Sequence, residues 1–240
     1  VVEKENKALN SIINESTHSV TVAQQDASSM SLHHNTIHGL CARYSCYADT
    51  VRLLSYWLCN HYFSGLMSHE TIELLVASVF LESSVSSPYV GLLRTLNRLS
   101  SFDWDDTPLV IDFSLQDATV VHMNTSNHMT IQSDFKTMHG TRACPAMYVV
   151  SSLDQVPVQS FNKETGKTET TVYFPSSSFS NKTPERVILT NIRSAAQQSM
   201  HQILRWAQGI KNHTLQLALQ TNEILVNWNL VLKLNKSLIC

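Results

Sequence analysis

Long apolar runs and an excess of basic charge are both missing from this chain of 240 residues. No uninterrupted apolar stretch reaches the roughly 18 residues that a membrane-spanning helix requires. Residues 1–30 also lack the basic and then apolar segments of a secretory signal, so neither a span nor a signal peptide is visible. The 17 basic and 19 acidic side chains give a net charge of -2, which argues against binding nucleic acid through the overall field of the protein. Any contact with RNA must then be local or delegated to a partner.

A disulfide framework and a paired metal-binding motif are missing as well. The five cysteines are odd in number and irregularly spaced, which favours reduced thiols in a cytosolic or nuclear compartment. They are Cys41, Cys46, Cys59, Cys144 and Cys240. The first three could be drawn as zinc ligands together with His61, but their spacing does not match the pairs of structural zinc sites. His34 and His38 would share a helical face, yet the glutamate of a zinc protease motif is absent between them. We therefore expect no metal and no cofactor.

What the chain does contain is a substantial apolar fraction, 43% of the residues, which is enough for a buried core. The order of the apolar patterns predicts the α+β class, with a helical domain followed by a smaller mixed α/β domain. The predicted division is residues 1–30 as a short helix and linker, 31–107 as the helical domain, 108–210 as the C-terminal domain, and 211–240 as a tail of uncertain structure. The first residue is Val1, so we expect the chain to be a fragment.

Helical spacing and capping residues organise the first half of the chain. Apolar positions predict a helix over residues 33–44, and Asp49 and Thr50 supply an N-cap for the next one. Gly65 stands where a left-handed C-terminal cap is needed, Ser68 is the next N-cap, and Pro88 can open a further helix. Two apolar stripes should pack against each other. The first is Val51, Leu54, Trp57 and Leu58, and the second is Ile72, Leu75, Val76 and Val79.

The periodicity changes after Pro108, where we place the domain boundary. Strands are predicted over residues 109–113, 118–123 and 146–150, because β-branched and aromatic residues dominate there. Residues 151–184 read as a long exposed loop containing a hairpin, whose best strand is residues 168–174. Thr183 and Pro184 resemble the start of a long amphipathic helix that Gly209 ends or kinks. The tail from residue 215 fits helical and β patterns equally well.

Seven basic residues are candidates for contact with RNA phosphate or with a partner. Three stand on the predicted helices and four in the polar loop region. They are Arg52, Arg94, Arg98, Lys163, Lys167, Lys182 and Arg186. A guanidinium suits phosphate oxygens, but it suits Glu70, Glu73 or Glu82 equally well, so an intramolecular ion pair or a solvated face is the alternative. Tyr173 and Phe174 beside the loop could offer stacking surfaces for bases.

Five blocks of residues, in a fixed order, resemble the late part of the nucleolar protein 6 family, also called the Nrap proteins. They are His34, residues 37–40, residues 50–54 with Trp57, residues 70–77, and residues 102–104 with 108–110. The resemblance implies a helical domain of the type that binds substrate in poly(A) polymerases and oligoadenylate synthetases. Residues 145–150 resemble the opening strand of the family's C-terminal domain. Trp57, Glu73 and Trp104 would be structural residues. The family usually has two basic residues before the tryptophan, where this chain has Ser55 and Tyr56.

The function implied by this resemblance is a non-catalytic, RNA-associated scaffold of the small-subunit processome. Such a protein acts in ribosomal RNA processing and ribosome biogenesis in the nucleolus of the nucleus. The implied partners are ribosomal RNA precursor, small nucleolar RNA, and processome proteins that include a small protein of the same subcomplex and casein kinase 2. Neither a membrane nor a small-molecule substrate is implied.

Catalysis is the main alternative to a scaffold. Active nucleotidyltransferases need a Gly-Ser pair and a carboxylate pair that clamps two metal ions. Asp103 and Asp105 have the Asp-x-Asp spacing around Trp104, but no Gly-Ser precedes them and a proline bounds their loop. We therefore expect Trp104 to fill the core and the carboxylates to cap the loop or face water. Two readings stay open beside the scaffold: the substrate-binding half of an active nucleotidyltransferase, and a helical binding module unconnected to RNA.

Overall fold

The computed structural model describes residues 28–115, 120–139, 141, 144–162 and 167–209. The short helix and linker predicted for residues 1–30 lie mostly outside these residues, and the predicted tail lies wholly outside them. The described residues form six α-helices: α1 (28–43), α2 (Tyr47–Asn60), α3 (His69–Glu82), α4 (Pro88–Ser101), α5 (Thr125–Met138) and α6 (Arg186–Ala207). They also form two sheets of two strands each, from β1 (Leu109–Ile111), β2 (Val149–Ser151), β3 (Val156–Asn162) and β4 (Lys167–Tyr173). None of the described helices combines the length and apolarity needed to cross a membrane.

The two apolar stripes are buried, as predicted. All eight side chains of the stripes on α2 and α3 are less than a tenth exposed, and the two helices contact each other. Burial extends further on α3 than one stripe, because every residue from Thr71 to Phe80 is buried. Helix α3 also contacts α4 and β1. It is therefore the central element of the core, enclosed by its neighbours on all sides.

The start of α2 differs from the prediction. The helix begins at Tyr47, and neither Asp49 nor Thr50 caps it. The Thr50 hydroxyl instead donates to the Cys46 carbonyl at 2.8 Å, so it bonds to the preceding turn as helical threonines often do. Asp49 lies in the first turn of the helix, where a carboxylate interacts favourably with the helix dipole.

The later helix boundaries follow local chemistry closely. Gly65 has a positive φ of 78°, as predicted, but it lies in the turn between helices, because α2 already ends at Asn60. The Ser68 side chain caps α3 by accepting from Thr71 N at 3.1 Å. Pro88 is the first residue of α4, with Ser87 as its N-cap. The predicted cap at Ser68 and the predicted helix start at Pro88 are both confirmed.

The first sheet is short, parallel and central. β1 forms as predicted, and it pairs with β2 in the register Leu109↔Val149, Val110↔Val150 and Ile111↔Ser151. β2 covers the end of the predicted strand 146–150 and one residue beyond it. The two strands bring residues about forty positions apart in sequence into direct contact, with α5 between them along the chain.

The strand predicted over residues 118–123 is wrong for its described part, residues 120–123, which are irregular. Helix α5 follows at once and was not predicted. A capping box starts it: Asn124 accepts from Asn127 N at 2.9 Å, and the Asn127 side chain accepts from Asn124 N at 3.0 Å. Of its residues only Ile131 and Phe135 are buried. Because only these two apolar residues, one turn apart, face the core, the sequence of this segment has no recognisable helical periodicity.

The predicted hairpin is confirmed, since β3 and β4 pair antiparallel from Val156↔Tyr173 to Asn162↔Lys167. Helix α6 begins at Arg186 with Glu185 as its N-cap, two residues after the predicted start. It ends at Ala207, and Gly209 follows with a positive φ of 76°, as expected for the residue that terminates a helix.

The main core crosses the boundary predicted at Pro108. It contains Trp57, Leu96 and Trp104 before the proline and Ile111 and Ile192 after it. A second cluster lies beneath α5 and the hairpin. It consists of Met123, Ile131, Phe135, Tyr148, Val150 and Phe174. The division into a helical and a C-terminal domain stays a prediction, but the two regions share one contiguous core.

A closed network of hydrogen bonds joins α2 to α6 inside this core. Trp57 Nε1 donates to Ser199 Oγ at 2.9 Å. Ser199 lies 3.4 Å from His61 Nε2, and His61 Nδ1 lies 2.9 Å from the Trp57 carbonyl oxygen. Since a carbonyl can only accept, Nδ1 carries the proton and Nε2 accepts from the serine. Burial lowers the pKa of His61, although its bond to the Trp57 carbonyl acts in the opposite direction. The neutral imidazole completes the network.

We predict that Ser199→Ala lowers the free energy of unfolding by about 1–3 kcal/mol, because it leaves buried polar groups of Trp57 and His61 without a partner. Ser194→Ala is the matched control, since Ser194 is exposed on the same helix and should change stability by less than about 0.5 kcal/mol. Urea denaturation of the two variants measures the difference. Equal effects of the two substitutions would contradict the structural role of the network.

Helices α2 and α4 approach closely at a glycine. A Cβ placed on Gly91 would lie 2.5 Å from Thr50 Oγ1 and 2.8 Å from its Cγ2. The threonine is fully buried and bonded to its own helix, so it has little room to move. The glycine therefore fixes the distance between the two helices.

We predict that Gly91→Ala destabilises the protein by about 1 kcal/mol, since overpacking costs about 1–3 kcal/mol and the gain in helix propensity is about 1 kcal/mol. Gly39→Ala in α1 is the control, because nothing lies within 4 Å of its Cβ position, and it should stabilise by about 0.5–1 kcal/mol. Thermal or urea unfolding measures both changes. A stabilising Gly91→Ala would show that the helices can separate freely.

Candidate functional site

The three predicted arginines on the helices are all engaged by acceptors of the same chain. Arg52 on α2 contacts the Asp49 carboxylate at 2.6 Å, and both side chains are more than half exposed. Arg94 donates to Ser83 Oγ and to the Ser84 carbonyl, each at 2.7 Å. The Asp49 carboxylate partly neutralises the Arg52 guanidinium, and the two hydrogen bonds of Arg94 fix the orientation of its guanidinium.

Arg98 forms an ion pair with Glu82 across the turn between α3 and α4. An intramolecular pair with Glu82 was one of the alternatives from the sequence, and it is confirmed for this arginine. Together with Arg94, it joins the end of α3 to the outer face of α4. Both arginines are therefore held by contacts that stabilise the connection between α3 and α4.

The predicted basic loop is only partly within the described residues. Lys163 lies outside them, and so do the side chains of Lys167 and Lys182. Arg186 opens α6 and lies 3.6 Å from Asp105 and 3.5 Å from His139.

The two aromatic residues beside that loop have different environments. Tyr173 is exposed, so a stacking surface is available there. Phe174 is only 3% exposed and packs in the second core cluster. The prediction that Phe174 offers a stacking surface is therefore wrong, because its ring is buried among the apolar side chains of that cluster.

The carboxylates around Trp104 have partners within the chain. Trp104 is buried as predicted, and its Nε1 donates to the Leu99 carbonyl at 3.2 Å. Asp103 accepts from Asp106 N at 3.2 Å, and Asp105 faces Arg186 as described above. Within the described residues, no group of three or more histidines, cysteines, aspartates or glutamates has the arrangement of a metal site.

The four candidate zinc ligands have separate environments. Cys46 is buried, with its Sγ 3.5 Å from the Val85 carbonyl oxygen, and Cys59 is exposed on α2. Cys41 is partly buried on α1, and burial raises the pKa of its thiol. His61 is committed to the network with Trp57. The two histidines at helical spacing on α1, His34 and His38, are both exposed.

One serine, histidine and aspartate do come together, which the sequence did not reveal. His122 Nδ1 lies 2.8 Å from Asp112 Oδ2 and 3.0 Å from Ser114 Oγ. A catalytic triad uses both imidazole nitrogens, one for each neighbour. Here the serine and the aspartate share a single nitrogen, so no proton relay runs through the ring.

The role of Asp112 is to hold its loop. Burial alone would raise the pKa of its carboxyl, but hydrogen bonds from Ser114 and from the Met123 backbone, together with the charge of His122, hold the pKa below its usual value. These bonds join the residue after β1 to the segment that leads into α5. The arrangement is therefore structural.

A buried hydrogen bond joins α1 to α3. His33 Nε2 donates to Glu73 Oε2 at 2.8 Å, and His69 lies 3.4 Å from the other carboxylate oxygen. Glu73, predicted as a structural residue, is thus held between two imidazoles. His33 also packs on the ring of Phe179 with centroids 4.9 Å apart. The hydrogen bond ties the first described helix to the central one.

A second carboxyl, Asp154, belongs to the same neighbourhood. Burial raises its pKa to about 6, and the Ser177 hydroxyl and the charge of His33 act in the opposite direction. The 3₁₀ turn that carries it, Ser152–Asp154, directly follows β2.

An open groove lies on the outer surface of α2 and α4. We call it the aromatic groove. It is lined by Asp49, Arg52, Leu53, Tyr56, Pro88 and Tyr89, and its volume is about 380 Å³. On the α2 side the lining residues recur at helical spacing, so they form one face of the helix. Of the seven predicted basic residues, the groove includes Arg52.

Three exposed aromatic rings mark the groove and its edge. Tyr56 is 51% exposed, Tyr89 46% and Trp206 41%. Trp206, near the end of α6, lies beside Tyr89 with ring centroids 6.4 Å apart and an interplanar angle of 52°. Sequence reasoning missed all three. The sequence feature that could have revealed the groove was Tyr56, a large aromatic residue on the polar flank of α2, one turn from Arg52.

A model of the family described as Nrap protein PAP/OAS1-like domain 5 matches residues 44–221 of this chain. That match covers well over half of the sequence. The chain belongs to the Nrap family. The matched segment includes both sides of the boundary predicted at Pro108, and it contains α2 to α6 together with both sheets.

Curated relatives of this Nrap chain agree with the family match. Nucleolar protein 6 of Xenopus tropicalis is 30% identical over 125 residues, which are 50% of this chain and 10% of the relative. Nucleolar protein 6 of Homo sapiens is 26% identical over 140 residues, 55% of this chain and 11% of the relative. U3 small nucleolar RNA-associated protein 22 of Schizosaccharomyces pombe is 36% identical over 84 residues, 33% of this chain and 8% of the relative. The chain therefore spans about a tenth of the length of the curated relatives that it matches.

The names of these relatives place members of the Nrap family in the nucleolus, and the localisation of this chain is accordingly nuclear and nucleolar. Tyr56 directly precedes the buried Trp57 and presents its own ring in the groove.

We predict that Asp154→Asn stabilises the chain near pH 7 and has a smaller effect near pH 4. The folded carboxyl has a pKa of about 6, above the ordinary value near 4. Between these values the folded state binds more protons than the unfolded state, so the stability of the wild type falls as the pH rises through this window. Asparagine does not titrate and removes this loss.

Unfolding free energies of the wild type and the variant, measured at both pH values, test the prediction. The measurement at low pH is the internal control, since both side chains are then uncharged in the folded state. A difference between the two proteins that is independent of pH would contradict it.

Proposed function

We propose that this chain is part of a non-catalytic, RNA-associated scaffold of the small-subunit processome, which acts in ribosomal RNA processing and ribosome biogenesis. The observation that carries the proposal is the match to the Nrap family over residues 44–221. The names of two relatives associate those proteins with U3 small nucleolar RNA, which supports a role in an assembly that contains this RNA. The contribution of the chain is then its shape and its surfaces.

The contacts of the acidic residues support a structural role. A nucleotidyltransferase uses carboxylates that converge on two metal ions. In this chain Asp103 caps its own loop, Asp105 faces Arg186, and Asp112 holds the segment before α5. Each carboxylate has a partner within the chain: Asp103 and Asp105 stand in one loop, and Asp112 directly follows β1.

The contacts of the basic residues support an indirect association with RNA. Arg52 and Arg98 are paired with carboxylates, and Arg94 is bonded to the turn before α4. The net charge of the whole sequence is -2. A protein that binds RNA mainly through phosphate contacts needs unpaired cationic groups. Association through protein partners that carry the RNA contact fits these features better.

The proposed partners are ribosomal RNA precursor, small nucleolar RNA and other processome proteins. A small protein of the same subcomplex and casein kinase 2 are the finer expectations drawn from the family. They stay predictions, and so does the assignment of Arg52, Arg94, Arg98, Lys163, Lys167, Lys182 and Arg186 to contacts with RNA or a partner.

We predict that the purified chain adds no nucleotide to an RNA primer with magnesium and any of the four nucleoside triphosphates. An active poly(A) polymerase serves as the positive control. Extension by the chain that Asp103→Ala abolishes would contradict the proposal and favour the alternative of a substrate-binding half of an active enzyme.

Crosslinking in cells provides the second readout. The expected result is recovery of ribosomal RNA precursor and U3 small nucleolar RNA with the tagged chain. Signal confined to non-ribosomal transcripts would contradict the role in ribosome biogenesis.

A further inference from the structure

We propose that the aromatic groove binds a proline-rich segment of a protein partner in the extended polyproline II conformation. This inference concerns a site that the family match does not assign. It goes beyond the proposed scaffold function, since a scaffold could exist without a peptide site at this position. Composition, charge, ring geometry and size each bear on the occupant.

The composition of the groove is typical of a protein-binding surface. Tyrosine, tryptophan and arginine are the residue types that most often dominate the binding energy of interfaces. Here Tyr56 and Tyr89 are about half exposed, and Trp206 is exposed beside them. Three helices contribute these rings, and the helices are fixed to one another by the core. The rings are therefore held in place before any partner binds, which lowers the entropy cost of association.

The charge of the groove favours a neutral ligand. Arg52 is its one cationic group among the lining residues, and the Asp49 carboxylate contacts it at 2.6 Å. The lining as a whole therefore carries no net charge. An RNA phosphate that approached Arg52 would also approach Asp49, and the repulsion would offset part of the attraction. A proline-rich segment carries no charge in its side chains and avoids this conflict.

The arrangement of the rings favours proline over a nucleobase. A base held between two aromatic side chains needs rings that are nearly parallel, because stacking brings flat faces together. Tyr89 in the groove and Trp206 at its edge are inclined at 52° with centroids 6.4 Å apart, so they do not form a parallel slot. Polyproline II segments dock in grooves lined by aromatic side chains.

Hydrogen bonding also fits this occupant. A polyproline II segment has no internal hydrogen bonds, so its carbonyl groups need donors from outside. The hydroxyls of Tyr56 and Tyr89 show no hydrogen bond to another described residue, and a phenol can donate to a carbonyl. Leu53 and Pro88 supply the apolar part of the lining. The groove thus offers donors at its rings and a hydrophobic surface between them.

The size of the groove indicates a short segment. A volume of about 380 Å³ lies at the small end of ligand sites, which span roughly 300–1,000 Å³. The site is open along the surface, so an extended chain can enter and leave without ending there. A folded domain would need a much larger contact area for stable binding.

The test is isothermal titration calorimetry of the chain with decaproline as the probe. Tyr56→Ala and Tyr89→Ala should each weaken binding by about tenfold or more, as expected for hot-spot residues. Tyr62→Asn is the matched control, because Tyr62 is exposed outside the groove and asparagine tolerates its left-handed backbone. This variant should bind like the wild type. Tyr56→Phe and Tyr89→Phe separate the ring from the hydroxyl, and they keep the test valid if an alanine variant unfolds.

Four outcomes would overturn the proposal. They are an absence of decaproline binding to the wild-type chain, an equal loss in the Tyr62→Asn control, binding of decauridine that requires Tyr56 while decaproline fails to bind, and self-association in sedimentation that Tyr89→Ala abolishes. The third would assign the groove to RNA and the fourth to a second copy of the chain. None of these results bears on nucleotide addition or on RNA recovery in cells, so the proposed function is tested separately.

Discussion

The rotation of α6 on the core is set by the buried hydrogen bond between Trp57 on α2 and Ser199 on α6. An indole N–H that is removed from water needs a hydrogen-bond acceptor, and the acceptor comes from a residue 142 positions later in the chain. The serine in turn needs His61 as its own acceptor. The closed arrangement leaves one rotation of α6 about its axis that satisfies all three groups. Helix α6 is thereby oriented towards α2, and it packs along α4.

The fixed position of α6 explains why the surface features occur where they do. Trp206 lies two turns beyond Ser199 on the same helix, and it meets Tyr89 because α6 and α4 pack together along their lengths. The close approach of α2 and α4 at Gly91 sets the width of the aromatic groove. The core thus does more than stabilise the fold, since it holds side chains from three helices at one surface in a defined geometry.

The helical half of the fold was largely predictable, and the second half was predictable only in part. Helices α2, α3 and α4 follow from apolar residues at helical spacing and from Ser68 and Pro88 at their starts. Helix α5 escaped recognition because it buries only Ile131 and Phe135. Of the candidate site, Arg52 was predicted, but its pairing with Asp49 was not considered. The two tyrosines of the groove and Trp206 at its edge were missed, since an exposed aromatic residue carries no periodic signal.

Local patterns of residues were enough to indicate the family, the central helices and most of their boundaries, because periodicity and capping act over a few residues. Other features came from the packing of distant elements: β1 pairs with β2, Phe174 is buried, Asp112 and Ser114 share one nitrogen of His122, and Tyr89 meets Trp206. Each of these depends on how distant elements pack. Burial of apolar surface drives that packing without direction, so the partners of a polar or aromatic side chain are settled only when the whole core has formed.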